Sequence, residues 1–260
     1  MQTNTAMITT KPIIVVTTNN TVKRNLDGSI KRTHTNKVAG VSSEVYAFNS
    51  EKDIAAMITV LDKHIAEAKD NNKRQIAARN KMLFLIGINI GIRASDLREL
   101  RYSFFYEEEK GKLIFRDSYT IMPKKTAHKH KYVKLFFNDV VRKAISEYTT
   151  AYPFESLNDY LFISRKGNEA ISEASIWRLM NDTALEAGIK QNIGSHSLRK
   201  TFGYWVWHNA EDKNKALIIL QQIFNHSSPA TTAKYIGITE TEMEEAYDSI
   251  ALGYEFAATF

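Results

Sequence analysis

The stretch KMLFLIGINIGIRASDLREL, Lys81–Leu100, decides how the chain is read. From Met82 to Ile90 it is apolar on most sides, so the pattern predicts a central buried helix over Lys73–Ile90 that stops at Gly91. A helix apolar all round needs cover, and the flanking sequence supplies it. Upstream, Ser50 can cap an amphipathic helix whose apolar positions Ile54, Met57, Leu61 and Ile65 recur every three or four residues. Downstream, Ser95 can cap a short helix. Beyond it, KLIFRD, SYTIM and YVKLF, within residues 112–136, are β-prone pieces separated by polar breaks. They predict a small antiparallel sheet with a basic cluster on a hairpin turn. Helical patterns follow in DVVRKAISEYTTAY and in SEASIWRLMNDTALEAG, the latter capped by Ser172 and closed by Gly188, with an extended YLFIS between them. They continue in SLRKTFGYWVWH, KALIILQQIF, PATTAKYI and ETEMEEAYDSIA, where Thr239 and Glu242 have capping-box spacing. The expected fold class is mainly α with a small antiparallel three-stranded β-sheet.

With 260 residues, 43% hydrophobic and 11% aromatic, the chain can bury one large core plus a small appendage. Residues 1–45 are rich in Thr, Asn and Lys without helical period and read as a basic N-terminal arm or small appendage. Asp27-Gly28 there can form a tight hairpin turn. Residues 46–260 read as the main domain. Cysteine is absent, which excludes disulfides and Cys-ligated zinc and fits a reducing, cytoplasmic setting. The N-terminus lacks the pattern of a signal peptide, and MLFLIGINIGI is too short and Asn-interrupted to span a bilayer, so no membrane segment is expected. Net charge is +6 and segregated. Lys11, Lys23, Arg24, Lys31, Arg32 and Lys37 face only Asp27 in one segment, and Lys124, Lys125, Lys129, Lys131 and Lys134 form a second cluster. Such clusters suit a polyanion such as nucleic acid, because neutralised phosphates release counterions. On charge alone, a merely soluble basic surface fits equally well.

Six polar residues stand where packing does not ask for them: Arg93, Lys125, His196, Arg199, His226 and Tyr235. Each alone has a plain reading, such as a helix cap, a solvated hairpin lysine or a core-edge tyrosine. Their order is more telling. GIRASDLREL, a hairpin lysine, HSLRKTF and NHSSPATTAKY together resemble the tyrosine recombinase, or phage integrase, family from about residue 46 to the C-terminus. Asp96 matches the acid usually found three residues after the first arginine.

The resemblance implies the tyrosine recombinase catalytic-domain fold and site-specific DNA recombination, integrating, excising, inverting or resolving, through a 3′-phosphotyrosyl intermediate. Tyr235 would be the nucleophile, storing the bond energy in a covalent link so that no cofactor is required. Arg93 and Arg199 would give forked hydrogen bonds to the charged non-bridging oxygens, and His226 would add a third donor. His196 would accept or relay the tyrosine proton. Lys125 would protonate the departing 5′ oxygen, with Lys124 its rival because the hairpin register is open. No metal is expected: the arginines and the lysine supply the charge, and His128, His130, His196 and His226 show no metal-ligand spacing. Double-stranded DNA is the implied partner, held in part by Lys23, Arg24, Lys31, Arg32, Lys124, Lys129 and Lys131. Four protomers on two DNA sites are implied, with ETEMEEAYDSIA docking on a neighbour and accessory DNA-bending proteins assisting.

The match departs from the family in two places. Most members carry a helical core-binding domain where this chain has about 45 residues, so the basic arm would supply part of the clamp. Phe224-Asn225 precedes His226 where Leu-Gly is usual, but Asn tolerates left-handed backbone angles. The rivals are a type IB topoisomerase-like relaxing enzyme, which would work as a monomer on one duplex, and a non-catalytic DNA-binding or architectural protein of the same fold, which would not need Tyr235.

Overall fold

The computed structural model describes residues 44–125, 132–165, 167, 169–238 and 247–249, all within the compact unit Ala39–Phe260. Its centre is the helix expected from the sequence. We number the helices in chain order: α1 Glu51–Ala66, α2 Asn71–Ile90, α3 Ala94–Leu97 and α4 Tyr102–Phe105, then α5 Asp139–Ala151, α6 Glu173–Glu186, α7 Ser195–His208, α8 Lys213–Phe224 and α9 Pro229–Ile236. Helix α2 packs against α1, α5 and α7. It starts two residues before the expected Lys73, because the side chain of Asp70 accepts the N–H of Lys73 at 2.8 Å and caps it. It ends as expected at Gly91, whose left-handed φ of 64° turns the chain. Ser50 and Ser172 cap α1 and α6 as anticipated. Ser95 does not cap α3; Arg93 holds that position, without a side-chain cap, and Ser95 lies inside the first turn. Among the described residues no helix is long and apolar enough to cross a membrane.

The mainly α reading holds, but the strands are arranged differently from the expected three-stranded sheet. Strands β1 Tyr106–Glu109 and β2 Lys112–Phe115 form one antiparallel pair, and β3 Ser118–Ile121 and β4 Val133–Phe136 another. The sequence reading missed β1 because its YEEE puts three like charges on a strand, against β propensity. Two local features rescue it. Arg116 neutralises Glu107 at 2.8 Å, and Lys110 and Gly111 take the positive φ values, 52° and 74°, of a two-residue hairpin turn. YLFIS forms no strand: Leu161 and Phe162 make a turn between isolated bridges of Tyr160 to Arg101 and of Ile163 to Ala170.

The buried residues form two apolar clusters. The larger surrounds α2 and includes Leu198 from α7. The smaller joins Trp207 of α7 to Leu220 and Phe224 of α8 and Ile236 of α9. Helix α7 thus serves both, and glycines let its neighbours approach. A Cβ on Gly203 would lie 2.5 Å from Cγ2 of Ile236 and 2.9 Å from the Phe224 ring. Gly203→Ala is therefore expected to push α9 outward and cost about 1–3 kcal/mol as overpacking, outweighing the roughly 1 kcal/mol gained in helix propensity. A lower urea midpoint at unchanged m-value checks this.

Candidate active site

The site gathers where α2, α7 and α8 expose their ends. The left-handed Gly91 delivers Arg93, half-buried, into the space beside α8, with Nη2 at 3.4 Å from the carbonyl of Phe224. Arg199, one turn after His196 on α7, is 4% exposed. Its Nη1 donates to Gly91 O at 2.8 Å, its Nη2 donates to Phe224 O at 2.9 Å, and its Cζ lies 4.1 Å over the Phe224 ring. One guanidinium thus satisfies carbonyls at the C-terminal ends of two helices, α2 and α8. Burial, helped by the charge of Arg93, pushes its pKa down to about 10, so it stays protonated at neutral pH.

Asn225 ends α8 in the left-handed conformation, φ 52° and ψ 44°, as expected from its stand-in for glycine. The chain then reverses. Ser228 accepts the N–H of Thr231 at 3.1 Å and Pro229 opens α9, so the helix carrying Tyr235 runs back toward His226. Nine residues apart in sequence, the His226 and Tyr235 rings meet edge to face at 5.1 Å. Phe224 packs against both, at 5.3 Å and 5.6 Å. The Tyr235 hydroxyl lies within electrostatic reach of the Arg199 guanidinium. Burial raises the Tyr235 pKa although Arg199 and Arg93 pull the other way, so the hydroxyl is protonated at pH 7.

Both histidines are neutral at that pH. Partial burial, then the charges of Arg199 and Arg93, push His226 down to about 4. The same three causes lower the pKa of His196, on the exposed side of the site, while Glu173 opposes them. Arg93 and Arg199 therefore act on His196, His226 and Tyr235 alike, and these five side chains converge.

The two rival lysines separate. Lys124 and Lys125 form a short turn after β3. Asp96, 7% exposed, accepts the backbone N–H of Lys124 at 2.9 Å and anchors that turn to α3. Lys124 Nζ is committed to Glu99 at 2.8 Å. The charge of Lys125, in contrast, is felt by His196. Lys129 and Lys131, His128 and His130, the arm residues Lys11, Lys23, Arg24, Lys31, Arg32 and Lys37, the Asp27-Gly28 turn and the Thr239/Glu242 capping box lie outside the described residues.

Several contributors escaped the sequence reading. Lys200 sits 5.5 Å over the Tyr235 ring and pairs with Glu44 at 2.6 Å. Glu44 is 156 residues away, and no local pattern announces such a contact. Thr232 lies 3.1 Å from Nδ1 of His226; its place three residues before Tyr235, on the same helix face, was the available signal. Among the described residues no three of His, Asp and Glu gather as a metal ion would require.

Comparison with known proteins places the chain in a family. The model of the phage integrase family matches residues 51–242. The probable integrase/recombinase YoeC of Bacillus subtilis is 35% identical over 169 residues, 65% of this chain and 83% of that protein. Tyrosine recombinase XerD of Oceanobacillus iheyensis is 25% identical over 190 residues, 71% of this chain but 58% of the relative. Among solved structures, XerA recombinase shares the fold with a TM-score of 0.56 at 21% identity, over 83% of this chain and 68% of that one. XerH site-specific recombinase bound to its difH substrate does so with a TM-score of 0.56 at 20% identity, over 86% of this chain and 58% of that one.

Proposed function

This chain belongs to the phage integrase family of tyrosine recombinases, and from that premise we propose that it cuts and rejoins DNA at specific sites through a link between Tyr235 and a 3′ phosphate. The observation that carries the reading is the meeting of the Tyr235 and His226 rings at 5.1 Å in a site where the charges of Arg93 and Arg199 act on Tyr235, His196 and His226 alike. The phenol oxygen attacks the scissile phosphorus as the bond to the 5′ oxygen breaks. His196, neutral and on the open side, takes the phenolic proton. Arg93, Arg199 and His226 donate hydrogen bonds to the non-bridging oxygens, where charge grows in the transition state. Lys125 gives a proton to the leaving 5′ oxygen. A 5′-hydroxyl from the partner strand then attacks the phosphotyrosyl link, and the protons return by the reverse route. Bond energy is conserved, so no cofactor enters the balance.

We assign Lys125 as the general acid because Lys124 is ion-paired with Glu99 while the charge of Lys125 acts on His196. Lys125→Ala is expected to slow cleavage of an ordinary duplex about 10²-fold or more, and Lys124→Ala far less. A substrate with sulfur at the 5′ bridging position needs no protonation to leave, so it should restore cleavage by Lys125→Ala. Equal defects in the two variants, or no rescue by sulfur, would reassign the role.

Double-stranded DNA is the partner this chemistry requires, the ligand class that XerH holds as its difH substrate. We extend the reading to residues 1–45 as a basic arm gripping phosphates beside a catalytic domain of residues 46–260. Four such chains would assemble on two sites, with accessory DNA-bending proteins assisting. Incubation with a suicide duplex carrying the ends of the element tests the core of the proposal: a covalent protein–DNA adduct is expected, with a free 5′-hydroxyl.

A further inference from the structure

One hydroxyl in the site has no part in the steps above. Thr232, on α9, is fully buried, and its Oγ1 lies 3.1 Å from Nδ1 of His226. The same oxygen is 3.4 Å from the carbonyl of Ser228, which already accepts the backbone N–H of Thr232 at 3.3 Å. A threonine hydroxyl has one proton to donate. The imidazole nitrogen is the nearer acceptor and has no other donor among the described residues, whereas the longer contact to the carbonyl would add a second donor to an oxygen that already holds one. The proton therefore belongs on the line from Oγ1 to Nδ1.

That choice has a chemical consequence. A neutral imidazole has one N–H and one lone pair, and the partner of one nitrogen decides which nitrogen carries the hydrogen. His226 is neutral at pH 7 because burial and the two arginines push its pKa to about 4. If its lone pair at Nδ1 accepts from Thr232, the hydrogen must be on Nε2. We propose that Thr232 is a positioning residue that holds His226 as the Nε2–H tautomer, so that an uncharged histidine donates to the scissile phosphate. The inference rests on the reading that His226 faces that phosphate. The opposite tautomer would aim a lone pair at a negatively charged oxygen, turning an attraction into a repulsion. A single helix supplies both parts: Thr232 and Tyr235 lie three residues apart on α9, so the face that presents the nucleophile also sets the histidine.

The test uses the full chain with 15N-labelled histidine and the variants Thr232→Val, which keeps the shape without the hydroxyl, and Thr232→Ser, which keeps the hydroxyl. Two-bond proton–nitrogen spectra at pH 7 read the tautomer, and the rate of adduct formation on a suicide duplex reads its effect. Wild type and Thr232→Ser should show Nε2–H. Thr232→Val should shift toward Nδ1–H and form adduct about 10-fold to 100-fold more slowly, by analogy with the loss of the outer partner of a metal-bound histidine. A wild-type spectrum showing Nδ1–H overturns the proposal, and that spectrum decides even if Thr232→Val does not fold. A folded Thr232→Val with wild-type tautomer and rate also overturns it. His226→Ala separates the two levels of inference. A wild-type adduct rate in that variant would remove His226 from the phosphate, whereas a slow rate beside an unaffected Thr232→Val would sink only the role of Thr232.

Discussion

Tyr235→Phe is expected to bind DNA with wild-type affinity and salt dependence and to form no covalent adduct. The substitution removes one oxygen and leaves the ring, which packs edge to face on Phe224 and His226. Neighbouring Ile236, which belongs to the smaller apolar cluster, stays seated, so α9 should keep its place. The loss is confined to the atom that makes the bond. Deleting the nucleophile from a covalent enzyme costs about 10⁶-fold where that has been measured, which here puts the adduct below detection. Denaturing gels of the suicide-duplex reaction read the adduct, and fluorescence anisotropy on the same duplex reads binding. An adduct that persists in Tyr235→Phe would refute the assignment of the nucleophile.

The second large effect separates the two arginines by what each holds in the protein. Arg199→Lys should slow adduct formation about 10²-fold to 10³-fold, the usual result of losing a donor that stabilises transition-state charge. It should also destabilise the fold. The guanidinium serves Gly91 O and Phe224 O at once, and an ammonium on a differently shaped stem cannot span both. Each lost hydrogen bond from a charged donor is worth about 1.5–3 kcal/mol, so the urea midpoint should fall visibly. Arg93→Lys should lose a comparable factor in rate with little change in midpoint, because its one contact to Phe224 O is long, 3.4 Å, and the side chain is half-buried. Equal midpoints for the two variants would show that Arg199 has no role in joining α2 to α8.

The parts of the site legible in the sequence are those set by nearest neighbours. Gly91 stops α2 because only a residue at ease with positive φ can turn the chain there. Asn225 could be expected to replace glycine, and Ser228-Pro229 to start a helix, from backbone preferences alone. The tyrosine recombinase reading itself needed only the order and types of six polar residues. The strands were less legible. YEEE looks unsuited to a sheet until Arg116 is seen against Glu107.

What the tertiary structure decided is everything that depends on which distant groups share one volume. Lys124 and Lys125 are adjacent and chemically identical in sequence; in the fold Glu99, in the turn after α3, pairs with Lys124, while the charge of Lys125 acts on His196. Arg199 could be expected to contact phosphate, but its hold on two helix ends appears only when α2 and α8 meet at it. Thr232 is an ordinary helical threonine until the turn at Asn225 brings His226 back onto it. The sequence determined the residue types and the local turns because backbone angles are a property of a few consecutive residues. Protonation, tautomer and partnership were left to the fold, because they follow from burial and from charges contributed by separate elements.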